Sequence, residues 1–195
     1  MKILRFFDKI LTTLFWFLFI LSFDSPKFAF LTVLAAIIHE RGHLFALQTV
    51  TKKYISFPSA SVFGLRIKLP EGASYKDELI CAAAGPLANL LVSIPFAFID
   101  QGTALTFATV NFFTAISNLV PILNSDGYRI IRCILSIRLK SCEAPDAVCF
   151  WIAFCVSSAL ALAALLIILM IGEGYWAFLL FFSSFIITIQ NQRNL

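Results

Sequence analysis

Five long apolar stretches limit the folds that this chain can adopt. They cover residues 28–50, 78–99, 103–123, 148–171 and 174–190. Each is long enough, or nearly so, to cross about 30 Å of hydrocarbon as a helix. A sixth stretch at 10–23 is shorter, and we interpret it as a retained span because no small-residue cleavage site follows it. With 60% hydrophobic and 13% charged residues, the chain leaves no stretch long enough for a separate soluble domain.

Basic residues predict how the chain is oriented in the membrane. If the N-terminus is cytoplasmic, 13 of the 15 Lys and Arg residues lie on the cytoplasmic side, while Lys27 lies outside and Arg41 lies within a span. The 13 are Lys2, Arg5, Lys9, Lys52, Lys53, Arg66, Lys68, Lys76, Arg129, Arg132, Arg138, Lys140 and Arg193. Short basic loops stay in the cytoplasm. We therefore predict a multi-pass protein of the cell membrane with both termini cytoplasmic, surrounded by the lipid bilayer and binding no nucleic acid.

Two connections between the spans have patterns of their own. Residues 51–77 contain "YISFPSASVFGLRIKL", which alternates loosely and predicts a short β-hairpin or strand in the first cytoplasmic loop. Residues 124–146 mix isoleucine and arginine, which is typical of an amphipathic interfacial helix. No internal repeat is visible. The expected fold is an all-α membrane protein of about six transmembrane helices, with residues 1–195 forming a single polytopic domain.

Ionisable residues interrupt the first long span as "HERGH", residues 39–43. His39 and His43 are four residues apart and share one face of a helix. This spacing allows two imidazoles to bind one zinc ion, with Glu40 as general base towards a water molecule. The alternative is a pair of buried histidines satisfied by hydrogen bonds. The metal site is favoured because these are the only 2 histidines of the chain and because ionisable groups within a span are costly.

A catalytic zinc ion usually has three protein ligands and one open position, so a third ligand is expected elsewhere. Asp126 is the candidate, in "NLVPILNSDG", where Pro121 interrupts a helix close to the membrane. Irregular backbone at that depth is tolerated where it lines protein or a wet cavity. Asp126 and Gly127 could instead form an ordinary turn. The other acidic residues lie in tails, in loops or on the outer side, so the context favours Asp126 as a ligand.

Three motifs together resemble the site-2 proteases, a family of intramembrane zinc metalloproteases. "HERGH" fits the H-E-x-x-H motif of the family, and "GPLAN" at 85–89 resembles its G-x-x-x-N element. "NLVPILNSDG" fits N-x-x-P-x-x-x-L-D-G, except that Ser125 replaces the usual leucine. The resemblance covers about residues 28–130, and it is greatest to the branch that contains sporulation factor IV FB. The pattern includes no PDZ or CBS domain.

The resemblance implies a zinc metalloendopeptidase that cuts a membrane-tethered protein in regulated intramembrane proteolysis. It implies one Zn²⁺ per chain, held by His39, His43 and Asp126, with Glu40 as the catalytic base. A regulatory membrane partner or a homo-oligomer would be compatible with this activity.

Two asparagines, Asn118 and Asn89, are similar in position to family asparagines near the substrate path. The resemblance therefore implies that they bind substrate. Either one could instead be a polar contact between helices.

Other functions remain open from the sequence. A catalytically silent membrane scaffold would be expected to lose Glu40 or one of the ligands, and the chain keeps all of them. A metal transporter could use the same His/Asp site, but it would not need a glutamate between the histidines. A different zinc hydrolase within the membrane is the remaining alternative.

Overall fold

The structure is a computed structural model, and it describes residues 25–51, 59–61, 64–66, 74–99, 102–139, 143–171, 181–182, 184–186 and 188–189. Its described part is almost entirely helical. The elements with defined bounds are α1 (Pro26–Thr51), β1 (Ser59–Ser61), β2 (Gly64–Arg66), α2 (Tyr75–Ala97), α3 (Gly102–Leu119), α4 (Asp126–Leu139) and α5 (Glu143–Ile171). The chain divides into two compact units, residues 1–117 and 118–195. That residues 1–195 form a single domain stays a prediction.

Among the described residues, three helices are long and apolar enough to cross a membrane. These candidate spans are Pro26–Val50, Tyr75–Ala97 and Ala144–Ile171. Large apolar side chains on their surfaces are exposed, among them Phe45, Leu91 and Leu169. A soluble protein rarely exposes apolar surface on this scale, so these features indicate a membrane protein.

The predicted number of six spans stays a prediction. The predicted span at 10–23 lies outside the described residues, and the span at 174–190 lies largely outside them.

Two short strands lie in the connection between α1 and α2. β1 pairs with β2 in an antiparallel manner, with Ser59 opposite Arg66 and Ser61 opposite Gly64. The other residues between Thr51 and Ser74 fall outside the described part of the chain. A hairpin or strand of the predicted extent, over residues 51–77, therefore stays a prediction.

In the first unit, small residues bring α1 and α2 close together. A Cβ atom added at Gly42 would lie 2.5 Å from the carbonyl oxygen of Ala84 and 2.8 Å from Cβ of Ala88. Helices without a large side chain at the crossing can approach closely and gain van der Waals contact. Beside this crossing, Leu47 and Cys81 are buried together in the core of the unit.

The start of α2 is held by a capping box. The side chain of Ser74 accepts a hydrogen bond from the backbone N–H of Asp77 at 3.2 Å, and Asp77 Oδ2 accepts from the backbone N–H of Ser74 at 3.0 Å. This reciprocal pair satisfies two N–H groups that the helix cannot satisfy itself. Further along, Pro86 lies inside α2 and has no N–H to donate to the carbonyl of Ala82, which interrupts the helical hydrogen bonds.

In the second unit, α4 and α5 are joined by an ion pair. The Arg132 guanidinium donates hydrogen bonds to both carboxylate oxygens of Asp146. Both side chains are partly exposed, so the pair contributes little to stability, about 0–1 kcal/mol. It links α4 to α5 across the short connection between them.

Candidate metal centre

His39 and His43 meet on the buried face of α1. Both are 6% exposed, and their Nε2 atoms are 3.1 Å apart. The two rings are nearly perpendicular, with an interplanar angle of 84°. The helical spacing of four residues accounts for this meeting, because residues i and i+4 lie one above the other.

The second nitrogen of each ring is held by α2. Nδ1 of His39 lies 2.8 Å from Oδ1 of Asn89, and Nδ1 of His43 lies 2.7 Å from the backbone oxygen of Cys81. A carbonyl oxygen can only accept a hydrogen bond, so each Nδ1 must donate. The neutral rings therefore carry their protons on Nδ1, and each Nε2 presents a lone pair.

The geometry of the pair fits a zinc ion. Two nitrogens bound at about 2.0–2.1 Å to a tetrahedral zinc ion are about 3.3 Å apart. The observed separation of 3.1 Å differs from this by only a few tenths of an ångström. Two lone pairs facing each other at that distance repel, and a cation shared between them removes the repulsion. Zinc-binding histidines commonly donate their other N–H to a carbonyl or carboxylate, as both rings do here.

Two hydrogen-bonded asparagine amides support the Nδ1 side of the His39 ring. Nδ2 of Asn89 donates to the backbone oxygen of Ala35 at 2.9 Å and to Oδ1 of Asn111 at 2.8 Å. Nδ2 of Asn111 in turn donates to the backbone oxygen of Phe107 at 2.9 Å. Both asparagines are fully buried. The amide of Asn89 therefore supports the imidazole of His39, while its predicted contact with substrate stays a prediction.

Gly85 lies directly against the two imidazoles. A Cβ atom there would overlap Nε2 of His43 and would lie 2.5 Å from its Cε1 and 2.9 Å from Cε1 of His39. The glycine of "GPLAN" thus leaves open the space around the two Nε2 atoms. A side chain in this position would displace the rings or fill the space that an ion needs.

Glu40 follows His39 on α1 and is partly buried. Its position next to the first histidine is the one that the H-E-x-x-H pattern assigns to a general base. The neighbouring Arg41 is exposed and lies on a different face of the helix. The catalytic role of Glu40 stays a prediction.

In the second unit, Asp126 is the first residue of α4, and it is buried at 7% exposure. The serine that departs from the family pattern caps this helix. Ser125 Oγ accepts a hydrogen bond from the backbone N–H of Tyr128 at 3.1 Å and donates to the backbone oxygen of Val120 at 2.7 Å. Serine is a preferred N-cap residue, so the replacement of leucine keeps the helix start well defined.

The loop before α4 is tight on both sides of Ser125. Asn124 has φ of 70°, a left-handed conformation that asparagine tolerates better than most residues. On the other side, a Cβ atom at Gly127 would overlap the backbone oxygen of Leu119. The turn therefore requires a small residue immediately after Asp126. Asn118, in the last turn of α3, is partly buried, and its predicted contact with substrate stays a prediction.

Two contributors to the site were absent from the sequence prediction. Asn111 had a signal, since a polar amide within an apolar helix is unusual enough to indicate a role. Cys81 had none, because it acts through its backbone carbonyl and any residue would supply one.

Comparison with a solved structure identifies the fold. The structure is similar to "Site-2 Protease from Methanocaldococcus jannaschii", with a TM-score of 0.64 and 22% identity, covering 94% of this chain and 87% of that one. At this identity the likeness establishes the fold, and it extends well beyond the motif region at 28–130.

A sequence relative is known from Bacillus subtilis (strain 168), under the name "Putative peptide zinc metalloprotease protein YydH". It is 30% identical over 116 residues, which are 54% of this chain and 46% of that protein. The chain therefore spans about half the length of this curated relative. No family model matches the chain.

The comparisons agree with the resemblance that the motifs predicted. Assignment to the branch of sporulation factor IV FB stays a prediction, since neither similar protein distinguishes it. The chain has the fold of a site-2 protease.

Proposed function

We propose that this protein is an intramembrane zinc metalloprotease that hydrolyses a peptide bond of a membrane-tethered protein. The observation that carries the proposal is the pair of buried Nε2 atoms, 3.1 Å apart, on imidazoles whose Nδ1 atoms are both engaged. The fold of a site-2 protease and the name of the curated relative support the same activity.

Zinc is proposed as the cofactor, at one ion per chain. His39, His43 and Asp126 each offer one ligand atom, and all three are buried. Two imidazoles and one carboxylate form the donor set of many catalytic zinc sites, which keep a fourth position open. When bound, zinc lowers the pKa of a coordinated water towards about 7 and polarises a carbonyl group.

Glu40 is proposed as the general base. It would accept the proton of the attacking water and then deliver it to the leaving amine nitrogen, so that the carboxylate is regenerated. Asn118 is proposed to donate a hydrogen bond to the substrate carbonyl oxygen as negative charge develops there. Asn89 retains a proposed substrate contact from the family resemblance, but its observed hydrogen bonds support His39.

The substrate must be extended where it is cut, because the peptide bonds of a helix are shielded by their hydrogen bonds. The segment around β1 and β2 is proposed to add the substrate as a further strand, as exposed sheet edges often do. We also propose that the protein crosses the cell membrane several times, with both termini in the cytoplasm.

The test uses purified full-length protein and a panel of single-span protein substrates. Glu40→Gln is expected to abolish cleavage and to leave zinc bound, because the amide keeps the shape of the side chain and loses its basicity. Loss of a general base typically lowers the rate by about 10²–10⁴-fold. Full turnover by Glu40→Gln would refute the mechanism.

The metal ligands have a separate test. Asp126→Asn is expected to lower both zinc content and cleavage, because a neutral amide is a poor zinc ligand. Zinc content and turnover at the wild-type level in this variant would show that the third ligand is another residue. A wild-type protein that binds zinc and moves it across vesicle membranes without cutting any substrate would favour the transporter instead.

A further inference from the structure

Asn111 is a fully buried amide on the mainly apolar helix α3. A buried amide is costly unless its hydrogen-bonding groups are paired. Both kinds of group are paired here. Oδ1 accepts from Nδ2 of Asn89 at 2.8 Å, and Nδ2 donates to the backbone oxygen of Phe107 at 2.9 Å.

These partners fix which way each amide points. The backbone oxygens of Ala35 and Phe107 can only accept, so the Nδ2 groups of Asn89 and Asn111 must face them. The Oδ1 atom of Asn111 is consequently turned to Asn89, and the Oδ1 atom of Asn89 is turned to Nδ1 of His39. The orientation of three side chains thus follows from two backbone carbonyls.

A reversed Asn89 would be incompatible with metal binding. Its Nδ2 would then donate to Nδ1 of His39, which would move the ring proton to Nε2 and remove the lone pair that a metal needs. In that orientation Oδ1 of Asn89 would face two acceptors, the backbone oxygen of Ala35 and Oδ1 of Asn111. Asn111 therefore supplies one of the two contacts that disfavour the reversed amide.

We propose that Asn111 is a positioning residue for the metal site, acting through Asn89 to keep Nε2 of His39 available to the metal. The inference rests on the metal site of the proposed function, but it concerns a residue outside the three motifs. A purely structural role for Asn111, as a polar contact between α2 and α3, would leave the proton position on His39 unchanged.

The first experiment measures zinc affinity by competition with a chelator. Asn111→Leu removes the acceptor and keeps the branched shape of the side chain at a larger volume, and zinc affinity is expected to fall about tenfold, within the range of supporting partners around metal sites. Asn111→Ala should show a similar fall, which would exclude an effect of leucine packing. The control is Thr109→Ala on the same helix, because that side chain is exposed and bonds only its own helix at Leu105. Wild-type affinity in both Asn111 variants would overturn the proposal.

A double-mutant cycle tests the route through Asn89. In an Asn89→Leu background, Asn111→Leu is expected to cause no further loss of zinc affinity, because its contact with the site has already been removed. A further tenfold loss in that background would show that Asn111 acts independently of Asn89, and it would overturn the proposed route.

A spectroscopic experiment reads the proton directly in zinc-free protein. Labelling with ¹⁵N-histidine marks only His39 and His43, since the chain has 2 histidines. Asn111→Leu is expected to shift the ring nitrogen signals of His39 towards the form protonated on Nε2. The Nδ1 signal of His43 is the internal control, since this nitrogen is held by the backbone oxygen of Cys81, whereas Nε2 of His43 faces Nε2 of His39 and responds to a proton there.

The outcomes separate this inference from the proposed function. Unchanged His39 signals in Asn111→Leu, in a wild-type protein that binds one zinc ion and cuts its substrate, would overturn the inference alone. A wild-type protein that binds no zinc would overturn both. Loss of the Nδ1 proton from both His39 and His43 would indicate a general loss of structure and would likewise refute a specific positioning role.

Discussion

Replacing Gly85 with alanine tests whether the space beside the two imidazoles is the metal position. The added methyl carbon would overlap Nε2 of His43 and would lie 2.5 Å from its Cε1, where ordinary contacts are 3.4–4 Å. The ring must therefore move by about 1 Å to restore normal contact. Zinc–ligand distances tolerate only about ±0.2 Å, so this displacement removes His43 as an effective ligand.

The expected loss of zinc affinity is at least about 100-fold, since even supporting residues around a metal site are worth 10–100-fold. That corresponds to about 2.8 kcal/mol of binding free energy. Overpacking should also lower the free energy of unfolding by about 1–3 kcal/mol. Chelator competition measures the first quantity, and thermal unfolding of the zinc-free protein in detergent measures the second.

Gly102→Ala is the matched control for this substitution. Gly102 is the first residue of α3, and an added Cβ atom would have no atom within 4 Å. We expect wild-type zinc affinity in this variant. Zinc affinity of Gly85→Ala within threefold of the wild-type value would refute the reasoning, because it would place the bound metal away from the Nε2 pair.

Three further predictions concern packing, capping and topology. Gly42→Ala should lower the free energy of unfolding by about 1–3 kcal/mol, because its Cβ would meet the backbone oxygen of Ala84; unchanged thermal unfolding would contradict this. Ser125→Ala should lower the free energy of unfolding by about 1 kcal/mol, because α4 loses its N-cap. Ser117→Ala, at an exposed helical serine, should have little effect on the same quantity. Reporter fusions after residues 60 and 140 should be cytoplasmic, and a fusion near residue 100 should be external. The reason is that basic residues favour one side of the membrane by 13 to 1. The reverse pattern would refute the predicted orientation.

Local features of the site could be predicted from the sequence because they depend on short spacings. The meeting of His39 and His43 follows from helical periodicity alone. Helix ends were predicted less well. α1 begins at Pro26, two residues before the predicted start at 28, because proline fits the first turn of a helix. α3 ends at Leu119 although the predicted span runs to 123, because the residues before Pro121 are unfavourable for a helix.

The partners of the imidazoles could not be predicted in the same way. Cys81 and Asn89 are 38 and 50 residues away from the histidines that they hold, so their positions depend on how two helices pack. A backbone carbonyl carries no signal in the sequence. The side chain of Asn89 did carry a sequence signal, because it belongs to "GPLAN". That motif indicated proximity to the site but left open whether Asn89 contacts the substrate or a histidine.

The two Nδ1 hydrogen bonds have a mechanical consequence. They attach α1 to α2 at Asn89 and Cys81, which are eight residues apart and therefore separated by about 12 Å along the axis of α2. Sliding one helix past the other by a single residue, about 1.5 Å, would lengthen both bonds and tilt them away from linear geometry. Rotation of either helix would break at least one of them. The two hydrogen bonds consequently oppose movement of α1 relative to α2, and we expect any opening for the proposed substrate to come from displacement of other parts of the chain.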